Sequence, residues 1–72
     1  MKRSTIIRMP RGEIISPLLS VRAGNPRVII ETFEHGQVSR SVTRHLPTAG
    51  RAIVEYERIV DALLLVGEFL ED

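Results

Sequence analysis

The stretch RVIIETFEHGQVSRSVTRH, residues 27–45, decides the fold. Arg27–Glu34 is rich in β-branched and aromatic residues, and Gln37–His45 follows as its strand partner. Between them stands His35-Gly36, a pair in which glycine supplies the positive φ of a tight hairpin. A two-residue loop sets a register. It places Phe33 opposite Val38, Glu31 opposite Arg40, Ile29 opposite Val42 and Arg27 opposite Arg44 on one face. Thr32–Ser39, Ile30–Ser41 and Val28–Thr43 pair on the other. Opposite charges and apolar side chains facing each other are what stabilise cross-strand pairs.

Upstream, Ser4–Met9 and Glu13–Arg22 are further runs of isoleucine, leucine and valine, separated by the turn-forming Pro10-Arg11-Gly12. Ala23-Gly24-Asn25-Pro26 separates the second run from the hairpin. Pro17 cannot donate to a ladder, so the strand that contains it is expected to be an edge, or bulged or split there.

Downstream the period changes at Pro47-Thr48, with Thr48 as helix N-cap. Ala52, Tyr56, Ile59, Leu63, Val66 and Leu70 then recur at alternating spacings of four and three, which predicts a helix over 48–71. Gly67 interrupts it, at a cost of about 1 kcal/mol against alanine in a helix interior, unless it permits a close helix–helix approach. The reading is an α+β fold in a single domain, 1–72. An antiparallel β-meander of about four strands (1–46) is followed by one long C-terminal helix (48–71).

With 72 residues, the chain buries only about 60% of the surface it exposes when unfolded. It has no cysteine, hence no disulfide framework and no thiol chemistry. No apolar run after Lys2-Arg3 is long enough for a signal peptide, and the longest, Ala62–Val66, is far below a membrane span. The expected location is the cytoplasm. Helix residues Ile53, Val60, Leu64, Leu65 and Phe69 lie beside or away from the main stripe, more apolar surface than one small sheet can cover. Self-association as a two-fold homodimer is the expected remedy, through Tyr56, Ile59, Leu63, Leu64, Val66, Gly67 and Leu70. The competing reading is a monomer with a few exposed leucines.

The net charge of +1 conceals a split: residues 1–45 carry eight basic groups against three acidic, and residues 46–72 two against six. Nine of the ten basic residues are arginine, the planar fork suited to phosphate and carboxylate. Two lone histidines, His35 and His45, diverge and make a metal site a poor expectation. No serine stands in a nucleophile elbow, the glycines form no phosphate loop, and a substrate-sized hollow of roughly 300 Å³ is hard to build at this size. A cofactor-free, non-enzymatic binding protein is therefore expected. Arg8, Arg11, Arg22, Arg27, Arg40 and Arg44 fall in or beside strands and are the candidate contacts to an anionic partner, nucleic acid first.

Four strands followed by a long helix is similar in order to the dimeric transcriptional coactivator and whirly group of single-strand binders. The likeness is one of topology, covers the predicted elements alone and carries no shared motif. It implies a dimeric nucleic-acid binder, but the sheet offers no aromatic platform beyond Phe33, expected in the core, so contact with a duplex backbone or groove suits the composition better than base stacking. The alternative is a protein-binding inhibitor or adaptor, phage- or plasmid-encoded, acting on a host protein complex. A nucleotide sponge at an oligomer interface is a third reading, resting on arginine supply alone.

Overall fold

The computed structural model describes residues 1–22 and 24–71, so Ala23 of the second turn lies outside the described residues. Strands β1 (Lys2–Ser4), β2 (Ile6–Arg8), β3 (Ile14–Arg22), β4 (Asn25–Glu34) and β5 (Gln37–His45) precede helix α1 (Ala49–Leu64) and strand β6 (Glu68–Glu71). They form one antiparallel sheet in the order β5-β4-β3-β2-β6, with β1 also on β3. The architecture is α+β, with six strands in place of about four.

One of the additional strands comes from a break rather than a new segment. Lys2 pairs with Ser20 and Arg8 with Ile14, so the register against β3 is the same on both sides of Thr5. The Thr5 amide donates to the Pro17 carbonyl at 3.1 Å. In an antiparallel pair the amide and carbonyl of one residue face the same neighbour. The N–H that Pro17 lacks is thus the one that would have answered Thr5. The expected edge or split in the proline-bearing strand is corrected: β3 is central, and the interruption falls in its partner.

The final hairpin has the expected turn, with His35 at φ 54° and Gly36 at φ 78°, the two positive angles of a type I′ connection. Phe33 faces Val38 as expected, but a bulge then shifts the remaining pairs. Thr32 faces Arg40, Glu31 faces Ser41 and Ile30 faces Val42. Ser39 is the extra residue, and its hydroxyl donates to the Thr32 carbonyl at 3.3 Å. The expected Glu31–Arg40 pair therefore does not form, and the two residues lie on opposite faces of the sheet.

Thr48 caps α1 as expected, at φ −141° and ψ 160°, accepting from the Arg51 amide at 3.1 Å. The helix ends at Leu64, not at 71. Its last turn tightens into bonds from the Leu65 amide to Ala62 and from the Val66 amide to Leu63, both 3.3 Å. The Gly67 amide then closes on the Leu63 carbonyl at 2.8 Å. A Cβ on Gly67 would stand 2.6 Å from Ile7 Cγ2 and 2.9 Å from Met9 Sδ, so the glycine permits the chain to press onto β2 rather than onto another helix. The chain continues as β6, pairing Glu68 with Arg8 and Phe69 with Ile7. Val66 and Leu70, the last steps of the predicted stripe, are thus not helical.

Alternation divides the sheet into two faces. The packed face carries Arg3, Ile7, Pro17, Leu19, Val28 and Ile30, and α1 lies across it with Ala52 and Tyr56 buried against Leu19 and Val28. Tyr56, 1% exposed, shares a 2.5 Å hydrogen bond with the Thr5 hydroxyl, and the Arg3 guanidinium carbon lies 5.6 Å from its ring centroid. Among the described residues no element covers the other, open face.

Candidate nucleic-acid interface

The register of β1, β3, β4 and β5 assembles a row across the open face. Lys2 on β1 pairs with Ser20 on β3, Ser20 with Arg27 on β4, and Arg27 with His45 on β5. Three inter-strand spacings give it a length of about 14 Å. Ser20, beneath its long neighbours, is 3% exposed. Arg22 pairs with Asn25 one step further toward the same sheet end, and the Asn25 amide oxygen lies 3.1 Å from His45 Nδ1. Met1, Lys2, Ser20 and Arg22 line a shallow hollow of about 230 Å³. The nearest carboxylate along β4 on this face is Glu31, four residues or about 13 Å from Arg27. This end of the open face is therefore basic, with two lysine or arginine side chains, Lys2 and Arg27, in the row itself and Arg22 beside them.

Of the six predicted arginines, only Arg22 and Arg27 come together here. Arg8 sits at the opposite end of the face, paired in register with Glu68. Arg11, in the β2–β3 turn, shares a hollow with Glu13, Glu34 and His35, which removes its local positive excess. Arg40 and Arg44 are on the packed face, lining a groove of about 260 Å³ with Ile30, Thr32 and Val42. Arg44 is engaged by Glu55, whose other oxygen accepts from Arg58 Nε at 3.1 Å and Nη2 at 2.7 Å. These contacts, Arg58 foremost and Arg44 with it, outweigh partial desolvation and hold the Glu55 carboxyl below its ordinary range. Lys2 and His45 were absent from the predicted set because their neighbours are set by tertiary register, which residue spacing does not encode.

Phe33, expected in the core, is instead on the open face, half-buried beside Ile14 and Val38. It stands six residues along β4 from Arg27, about 20 Å, so no aromatic ring adjoins the basic row. His45 ends β5, whereas His35 lies in the turn before its other end. Among the described residues no three His, Cys, Asp or Glu side chains cluster, and no helix is long and apolar enough to cross a membrane.

The predicted oligomer residues also divide. Tyr56 belongs to the chain's own core, and Gly67 is packed against Ile7 and Met9. Ile59, Leu63 and Leu70 are half-buried, while Leu64 and Val66 are exposed, together with Leu65 at 84% and Phe69 at 50%. A hollow of substrate size, expected to be hard to build from 72 residues, is present. A cleft of about 420 Å³ opens between α1 and the β1/β6 margin, lined in part by Arg3, Tyr56, Glu57, Asp61, Leu64 and Phe69. The chain matches no known protein family, no curated protein and no solved structure.

Proposed function

We propose that the chain is a small, non-enzymatic, homodimeric binding protein of the cytoplasm whose open sheet face holds the phosphate backbone of nucleic acid. The observation that supports this reading is the basic row of Lys2, Arg27 and His45 with Arg22 beside it, gathered from four strands and free of carboxylates. Arginine and lysine neutralise phosphates and release condensed counterions, which supplies sequence-independent affinity. The distance of Phe33 from the row favours duplex backbone over base stacking.

Labelled duplex titrated at two salt concentrations tests it. Lys2, Arg22 and Arg27 of each copy, one phosphate apiece, make six contacts per dimer. That predicts a salt slope near −5 and a loss of about 10³-fold in affinity between 50 and 200 mM. Arg27→Ala should weaken binding equally on unrelated sequences and flatten the slope. No binding at 50 mM would remove this reading and favour the alternative, an inhibitor or adaptor for a host protein complex. That alternative is supported by the nine-residue edge strand β5, exposed along its whole length.

A further inference from the structure

The edge of the sheet opposite β5 is incomplete. Strand β6 covers β2 alone, and among the described residues nothing pairs with the outer side of β1. The Met1 carbonyl accepts from Val21 and the Thr5 amide donates to Pro17, so residues 1, 3 and 5 turn their main-chain groups toward β3. By alternation the amides and carbonyls of Lys2 and Ser4 point outward. Directly above this open edge, on the packed face, lies the 420 Å³ cleft with exposed Leu64 and Phe69 at its end toward β6. Its helix wall carries Glu57 and Asp61 one turn apart, like charges that repel. Among the described residues, the ion pairs are Arg44–Glu55 and Arg58–Glu55, so neither carboxylate has a cation within 4 Å. The floor carries Arg3.

We infer that a second copy of this chain docks here, β1 against β1 about a two-fold axis through Arg3. The two Arg3 side chains face each other across the axis, and their like charges are outnumbered by the four unpaired carboxylates of the two cleft walls, Glu57 and Asp61 of each copy. Each guanidinium thus also meets the acidic wall of the other copy, as an isologous interface requires. One antiparallel register pairs both outward residues while stopping short of β6. It places Lys2 opposite Ser4 of the second copy and Ser4 opposite Lys2, giving four main-chain hydrogen bonds. Leu64 and Phe69 of both copies close the ends of the cleft.

The axis stands perpendicular to the sheet, so the two open faces become one. Each row of His45, Arg27, Ser20 and Lys2 runs to the axis, and the row of the second copy continues it with an offset of two residues, about 7 Å. Across eight strands the band measures about 34 Å. The role of this band rests on the nucleic-acid reading, whereas the interface stands without it.

Light scattering on the full chain, without DNA, tests the interface. The wild type should have twice the 8.1 kDa mass at micromolar concentration. Ser4→Pro removes an outward donor while leaving the β1–β3 bonds, and Asp61→Arg reverses an exposed charge. Each should raise the dimer dissociation constant at least tenfold while keeping the far-ultraviolet circular dichroism of the wild type. Arg3→Glu combined with Asp61→Arg should regain the dimer. A monomeric wild type, either single variant with unchanged dimerisation, or a charge swap that stays monomeric would overturn the inference. A dimer that binds no duplex would leave the interface intact and remove only the functional reading.

Discussion

Replacing Gly67 by alanine tests the C-terminal architecture through the sign of its effect. If residues 48–71 formed one helix, alanine at 67 would stabilise the protein by about 1 kcal/mol through backbone propensity. The structure predicts the opposite. The added Cβ would stand 2.6 Å from Ile7 Cγ2, 2.9 Å from Met9 Sδ and 3.0 Å from the Leu63 carbonyl oxygen. Met9 is half-buried and its thioether can swing away, but Ile7 is fully buried and paired on both sides, with Ile15 on β3 and Phe69 on β6. Overpacking of this kind costs about 1–3 kcal/mol. In a domain of this size that corresponds to a fall in melting temperature of roughly 4–20 °C. Urea unfolding followed by circular dichroism, at one fixed protein concentration, measures it, with Leu65→Ala as the exposed control expected within about 0.5 kcal/mol of wild type. A midpoint at or above that of the wild type for Gly67→Ala would refute the packing of the chain against β2.

Tyr56→Phe leaves the Thr5 hydroxyl, 4% exposed as a residue, without its partner, and should cost about 1–3 kcal/mol in the same urea assay. Glu55, held below its ordinary carboxyl value by Arg58 and Arg44, contributes stability that is complete above its unfolded-state pKa and is lost as pH falls through its lower folded-state pKa. Unfolding across the acid range should therefore show wild type losing stability relative to Glu55→Gln as the pH drops, while the two run parallel near neutrality. Thr48→Ala removes the acceptor for the Arg51 amide and should destabilise by about 1 kcal/mol.

What could be read in advance was local. The turn at His35-Gly36, the Thr48 cap and the extents of β3, β4 and β5 are written in residues next to one another, and pattern rules reach them. Three features are not. Ser39 became a bulge through its bond to the Thr32 carbonyl, a cross-strand event that no neighbour of Ser39 announces. Leu63, Val66 and Leu70 keep helical spacing although the helix ends at Leu64 and the chain turns onto β2 at Gly67. The glycine itself was the signal, and its meaning came from Ile7, sixty residues earlier. The arginines illustrate the same limit for function. Arg40 and Arg27 look alike in sequence, yet the register sends Arg40 to the helix side and Arg27 to the open row with Lys2 and His45. Composition identified the kind of partner to consider, and pairing decided which side chains could meet it together.

The central claim is that this row on the open face meets the nucleic acid. Amide chemical shifts recorded while a short duplex is titrated into labelled protein at low salt test it most directly. The account predicts that the largest changes fall on Lys2, Ser20, Arg22, Arg27 and His45, and that they reverse on raising salt. Changes centred on Arg40 and Arg44 beside α1, or on Arg8 and Arg11 at the far end of the sheet, would contradict it.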